Sequence, residues 1–360
     1  MRVLHIGSLG NGGRERRMVQ LTRGLSAKGV IEQKLIPIRY ENIYVKDIPE
    51  DVEVVRLAGS RISSAQIILK TIRSFRPDIV HIWIDIPMYL FLLGFLKKVF
   101  GYKIVTGFIA DGNIPEKKIV TAFRYIFSCS EAIISNSKAG LIAKNAPSDK
   151  SHVIYNGFDF NRFKPFDKSN LYKELEIDSN RPVISMVARF SPAKNWNMFF
   201  DVAQKLSALK SEVQFLAIGG GSLLGKYKMQ TESQGIKNIK FLGKRSDVEN
   251  ILRITDISVL FSNNEVHAEG VSNSIMESMA AGVPVIATDG GGTPEIISNE
   301  EDGYIIEPND SNTAIAKIIK LLDDKDLYNV FSLKAKQKVK SRFVLSDMAN
   351  RYMDIYNGCM

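Results

Sequence analysis

Cysteine is scarce: the 360 residues hold two, Cys129 and Cys359, far apart and with no metal-ligand spacing. No leader of charged, then apolar, then small residues opens the chain, so a reducing, cytoplasmic setting is expected. Long apolar runs are also missing. The longest, "IPMYLFLLGFL" from Ile86 to Leu96, is eleven residues followed by Lys97 and Lys98, short of the roughly 20 that span a bilayer. It reads as a buried helix or as a patch lying on a membrane surface, its lysines reaching toward lipid phosphates. No Asp-x-Asp follows an apolar strand. Asp324 to Asp326 has that spacing in a loop between helices, without donor groups nearby, and metal dependence is not expected. Fixed-period repeats, low-complexity tracts and heptads are absent, as is any aromatic-rich basic motif for nucleic acid.

What is present is an ordinary globular composition, 45% hydrophobic and 24% charged, in a chain too long for one comfortable core. The net charge of +9 is unevenly shared. Lys and Arg number 25 against 14 Asp and Glu over residues 1–165, and 23 against 25 over residues 166–360. A front half this basic implies either an anionic partner (a phosphate-bearing substrate, a nucleic acid, an acidic membrane surface) or solubility charge alone.

Short β-branched runs alternate with helical patterns from the start: "RVLHIGSL", a helix over about 13–28, "VIEQKLIPI", then "DVEVVRL", "DIVHIWI", "YKIVTGF", "EAIISNS" and "HVIYNG". Several are apolar on both faces, which predicts a parallel sheet covered by helices on each side. The period breaks over 155–170, where Gly, Pro and mixed charge mark a domain boundary. A second series follows: "PVISMVA", "EVQFLAIGG", "NIKFLG", "DISVLFS", "VPVIATD" and "GYIIEP". The expectation is α/β throughout: two doubly wound domains, 1–160 and 161–344, facing a central cleft, with a last helix over about 345–360 packing back on the first. Ligands of such sheets bind beyond the carboxyl ends of the strands.

The densest chemistry lies in "EGVSNSIMESMAAGVPVIATDGGGTPEII". Glu269 and Gly270 fall in a loop, and a helix is expected to start near 272–274 and stop at Gly282. Ile275, Met276, Met279 and Ala280 would face the core, with Asn273 and Glu277 sharing another face. The amides of Val271, Ser272 and Asn273 at this helix start could hold a phosphate. A simpler reading of Ser274 to Glu277 is a capping box, but that leaves Glu269 and the three glycines of "DGGGTPE" unexplained. Those glycines would let backbone approach a ligand closely. Carboxylates accept hydrogen bonds from paired sugar hydroxyls, so the segment reads as a sugar-nucleotide site.

On these residues the chain resembles the retaining, metal-independent GT-B glycosyltransferases of the glycosyl transferases group 1 type. Further likenesses are "VARFSPAKN", "AIGGGSL" (which holds Gly219), "IKFLGKRSDV", "VIYNGFDFNRFKP" and the glycine-rich "IGSLGNGGRERR", so that the resemblance covers nearly the whole chain. It implies that Arg189 and Lys194 grip a diphosphate, that Glu277 binds ribose hydroxyls and that Glu269 contacts the transferred sugar. Gly12, Gly13 and Gly219 join the donor side. No cofactor is implied beyond a nucleotide diphosphate sugar as substrate. The partners implied are that donor and a glycan or lipid-linked acceptor, with association to an anionic membrane and none to nucleic acid. Arg14, Arg16 and Arg17 load a first helical turn with cations, which the helix dipole disfavours unless an anion lies near. They read as an acceptor or phosphate surface, or as solvated charge.

One departure stands out. The histidine usual after the strand "KIVTGF" is replaced, Phe108 or a neighbour taking its place; Asp111, Asn113 and His81 are the nearest polar candidates, and His267 lies two residues before Glu269. The first expectation is a retaining transferase of hexose or N-acetylhexosamine. A nucleotide-sugar epimerase and a catalytically silent nucleotide-sugar binding partner are the alternatives.

Overall fold

The computed structural model describes residues 1–360 except Asn11, Asn42, Ile43, Ala58 and Glu265, and Lys118 by its backbone alone. The chain forms two compact units, one of Met1–Gly157 with Phe343–Met360, the other of Phe158–Arg342. Among the described residues no helix is long and apolar enough to cross a membrane.

The first unit runs β1 (Arg2–Leu9), α1 (Gly13–Ser26), β2 (Glu32–Tyr40), β3 (Glu53–Val54), α2 (Arg61–Phe75), β4 (Ile79–Ile82), α3 (Pro87–Phe100), β5 (Lys103–Ile109), α4 (Lys117–Cys129), β6 (Ala132–Ser135), α5 (Lys138–Ala143) and β7 (Ser151–Val153). The strands form one all-parallel sheet in the order β3-β2-β1-β4-β5-β6-β7. Side chains alternate across it. Leu4, Ile6, Val80, Ile82 and Ile104 meet Ile68 and Ile72 of α2, Leu90 and Leu93 of α3, and Phe123 and Ile126 of α4. Val3, Ile79, Val105 and Ile134 meet Met18, Leu21 and Leu25 of α1 on the other face. Burial on both faces is why "IVHI" shows no polar alternation.

The second unit runs α6 (Lys168–Glu174), β8 (Val183–Val187), α7 (Trp196–Leu209), β9 (Gln214–Ile218), α8 (Leu224–Ser233), β10 (Ile239–Gly243), α9 (Val248–Leu252), β11 (Ile257–Leu260), α10 (Asn273–Ala281), β12 (Val285–Thr288), α11 (Thr293–Ile296), β13 (Gly303–Ile306), α12 (Ser311–Asp323) and α13 (Lys325–Arg342). Its sheet is also parallel, in the order β10-β9-β8-β11-β12-β13. Leu171, Leu175 and Ile251 pack against Val183, Leu216 and Ile218 on one face. Trp196 and Phe190 stack at 3.9 Å, with Phe199 and Phe200 against the Trp196 ring. The chain then returns: α14 (Leu345–Cys359) packs on the first unit, where Met348, Ala349, Tyr352 and Tyr356 join the α1 face.

Two polar residues of the first unit sit differently from their sequence reading. His81 is not at the acceptor edge. It is fully buried in β4, its Nδ1 2.6 Å from the Tyr356 hydroxyl and its ring 4.2 Å from Trp83. Arg17 is no surface cation either: it is buried, donates to the Ile154 carbonyl at 2.8 Å and lies over the Trp83 and Tyr352 rings. Both turn inward because α14 covers that face with aromatic rings.

Candidate functional site

The site residues of the second unit stand at the carboxyl ends of β8, β9, β11 and β12. After β8 the chain turns through Arg189 to Asn195. Arg189 is exposed, and its carbonyl accepts the Trp196 indole N–H at 3.1 Å, which ties the loop to α7. Gly219, just past β9, donates its amide to the Gly243 carbonyl at 2.8 Å. Lys194 bridges to Ser262 beyond β11. Its ammonium pairs with the Glu269 carboxylate and lies 3.4 Å from the Ser262 hydroxyl, which donates to Glu269 at 3.0 Å. Burial alone would raise the Glu269 pKa; Lys194, His267 and Ser262 outweigh it, and the carboxyl is held below its ordinary value. Lys194 and Glu269, 75 positions apart, thus form one charged pair with little solvent access.

The glycine turn explains how Glu269 is held. Gly291 has φ +55, and a Cβ there would fall 1.9 Å from the Glu269 carbonyl oxygen; one on Gly292 would fall 2.6 Å from the Gly270 carbonyl carbon. The Gly292 amide donates to the Glu269 carbonyl at 2.8 Å. The close approach made by these glycines is therefore to the chain's own Glu269–Gly270 backbone, where the sequence reading assigned it to a ligand.

α10 begins after Ser272, whose side chain makes no capping bond to the helix amides; Ser272 and Ser274 hydroxyls meet each other at 3.0 Å. Val271 and Ser272 are buried, Asn273 half-buried. Ile275, Met276, Met279 and Ala280 are buried as their spacing predicts, and Gly282 closes the helix with φ +79. The capping box is not formed. Glu277 instead accepts the Arg162 guanidinium at 3.0 Å, and the other arm of the same guanidinium pairs with Glu249 of α9. Arg162 is set by the short helical turn Phe160–Arg162, which Asp159 caps through the Asn161 amide at 3.0 Å, and by the Phe158 ring beneath it. Sequence reasoning missed Arg162 and Glu249. The one available signal was two buried-looking carboxylates on facing helices, which need a cation.

The other expected residues lie in the first unit. Gly12 caps α1 without a side-chain bond, Gly13 is its first residue, and Arg14 reaches Asp85 at 3.3 Å and the Phe108 carbonyl at 3.4 Å. Asp111 accepts Lys144 at 2.8 Å and the Asn113 amide at 3.0 Å. Arg14, Asp85 and Asp111 follow the carboxyl ends of β1, β4 and β5, and Phe108 lies in β5 just before its end.

Residues 167–338 match the family described as glycosyl transferases group 1. The second unit belongs to that family. Among curated relatives, the UDP-Gal:alpha-D-GlcNAc-diphosphoundecaprenol alpha-1,3-galactosyltransferase of Escherichia coli is 32% identical over 213 residues, 58% of this chain and 54% of the relative. The N-acetyl-alpha-D-glucosaminyl L-malate synthase of Bacillus anthracis is 28% identical over 218 residues, again 58% and 54%. The chain spans about half the length of these relatives. Among solved structures, the Anabaena HepE protein in complex with UDP and glucose superposes with a TM-score of 0.84 at 20% identity, covering 99% of both chains. The sucrose-phosphate synthase of Thermosynechococcus elongatus does so at 0.84 and 16%, covering 99% of this chain and 98% of that one. The fold of the chain is accordingly the GT-B fold.

Proposed function

We propose that the protein is a retaining, metal-independent glycosyltransferase. It moves a hexose or N-acetylhexosamine from a nucleotide diphosphate sugar to a glycan or lipid-linked acceptor in polysaccharide biosynthesis, on the cytoplasmic face of a membrane. The observation that carries this reading is the convergence of Lys194, Glu269 and the start of α10 at one place on the second sheet, within a segment of the group 1 family. Transfer from such a donor leaves a multiply charged diphosphate. Lys194 and Arg189 supply cations for it and the amides at the start of α10 supply donors, so charge is stabilised where it develops. Glu277, held by Arg162, would take the ribose hydroxyls, and Glu269 the sugar. Lys194 then exchanges part of its bond to Glu269 for the diphosphate. The E. coli relative's name specifies a diphosphoundecaprenol acceptor, which supports a lipid-linked acceptor here.

A thermal-shift screen of UDP-, GDP- and ADP-sugars tests this. One donor at about 100 times its dissociation constant should stabilise by about 2.7 kcal/mol, and Lys194→Ala should remove the shift while the protein stays folded. A response to none of them would overturn the reading. For the responding donor, the anomeric proton coupling of the transferred sugar then decides retention.

A further inference from the structure

α3 breaks the rule that a surface helix turns a polar face to water. Its inner face is accounted for by Tyr89, Leu90, Leu93 and Leu96, all buried. Its outer face is Met88, Phe91, Phe95 and Val99, exposed by 38, 42, 60 and 61%. These are three or four residues apart and so form one ridge, about 17 Å long from Met88 to Val99. Phe91 is braced by the Tyr125 ring of α4 at 5.1 Å. The adjoining α2 adds Ile62 and Leu69, also exposed. A continuous apolar strip of this kind marks a surface that something covers.

The charge around the ridge identifies the occupant. By sequence, α2, α3 and α4 carry eight Lys and Arg and not one Asp or Glu. Where the ridge ends, Val99 and Phe100 line a pocket of about 560 Å³ whose wall holds Arg2, Arg73, Arg76 and Lys103. The one carboxylate there, Asp78, accepts the Arg2 backbone amide at 2.7 Å. At its other end the ridge starts at Met88, three residues after Asp85, the partner of Arg14. Apolar side chains on a helix lying flat, flanked by cations that outnumber the neighbouring acids Asp78, Asp85 and Glu131, the last paired with Lys97 at 2.6 Å, match a lipid interface: rings enter the acyl boundary while cations meet headgroup phosphates. We propose that the α2–α3–α4 face of the first unit docks on an anionic lipid bilayer, with Phe91, Phe95 and Val99 inserted. This names the surface for the membrane association in the proposed function, and it rests on that reading only for its purpose, since lipid binding needs neither donor nor turnover.

The test is flotation of the full chain with vesicles of phosphatidylcholine alone and of phosphatidylcholine with about one third phosphatidylglycerol. Binding should occur to the second and not the first, and weaken at about 0.5 M salt. Phe95→Asp combined with Val99→Asp should weaken it at least tenfold, roughly the effect of withdrawing two buried apolar side chains. Ile142→Asp, at an exposed apolar position on α5, should leave it unchanged. Variants that bind as wild type does, equal binding to both vesicles, or binding to neither would each overturn the proposal. So would a wild-type dimer that the double variant converts to monomer, since the face would then be covered by a second copy. A double variant that loses vesicles yet keeps its donor-induced stabilisation separates the two readings. Intact lipid binding with no donor response would sink the glycosyltransferase reading alone.

Discussion

Arg162 is the residue on which the second unit's buried charge depends. Glu249 and Glu277 are both nearly inaccessible, and each pairs with a different arm of the same guanidinium. Removing the cation leaves two desolvated carboxylates close together. Arg162→Ala should therefore cost about 3 kcal/mol, the range for breaking a buried pair, measurable as a lowered urea midpoint. Glu249→Gln in that background should recover part of the loss by removing one of the unpaired charges. Arg162→Lys should fall between the two, since an ammonium cannot fork between two carboxylates. A double variant no more stable than Arg162→Ala would show that charge is not what Arg162 supplies. The contrast with Glu269 and Glu277 shows what a sequence reveals at this scale. Those two were legible because glycines, serines and a helix period surround them locally. Arg162 lies where the period fails, 115 positions from its partner Glu277, and no local pattern connects them. The glycines at 290–292 were visible as a place of close approach, but only the fold shows that the approaching group is the Glu269 backbone.

At the scale of elements, the alternation of strands and helices was readable because each strand of a covered parallel sheet is apolar on both faces. What periodicity could not supply was which outer helices face water and which face another helix. The α3 ridge (Met88, Phe91, Phe95, Val99) and the α14 interface (Met348, Ala349, Tyr352, Tyr356) both repeat at helical spacing, and that spacing does not say which of them is covered. The α14 contact has a specific vulnerability in Gly24 of α1, where a Cβ would stand 2.7 Å from the Ala349 Cβ. Replacing a helix-interior glycine gains up to about 1 kcal/mol of helix propensity. Gly24→Leu should nevertheless destabilise by about 1–3 kcal/mol net, the usual cost of overpacking. Amide exchange should quicken along 345–359, leaving the strands of the second unit protected. An unchanged or raised melting temperature would show that α14 shifts away at no cost.

Across the whole molecule, the two units hold their buried charges in opposite senses, and acid should separate them. The first unit buries His5 and His81 as neutral bases. Burial lowers His5 from 6.5 to about 4, against a small opposing effect of Gln33, and pushes His81 well below 6.5, with His5 and Arg17 adding to the shift. Above pH 6.5 neither group affects folding. As pH falls below 6.5 the unfolded chain takes up protons that the folded unit refuses, so stability drops by about 1.4 kcal/mol per pH unit for each histidine, about 3 kcal/mol by pH 4 from His5 alone. The second unit depends instead on carboxylates such as Glu269, whose pKa is held below 4.5. Its stabilisation persists above pH 4.5 and is lost only as pH falls through that lowered value. Asp256, whose carboxyl is pushed up by burial, acts the other way and delays its loss. Acid unfolding should then run in two steps, the first unit leading. Each unit contains one buried tryptophan, Trp83 and Trp196, so fluorescence of Trp196→Phe follows the first unit and that of Trp83→Phe the second. The first should lose its native emission at the higher pH. Coincident transitions, or the reverse order, would mean that His5 and His81 are protonated without unfolding the sheet around them.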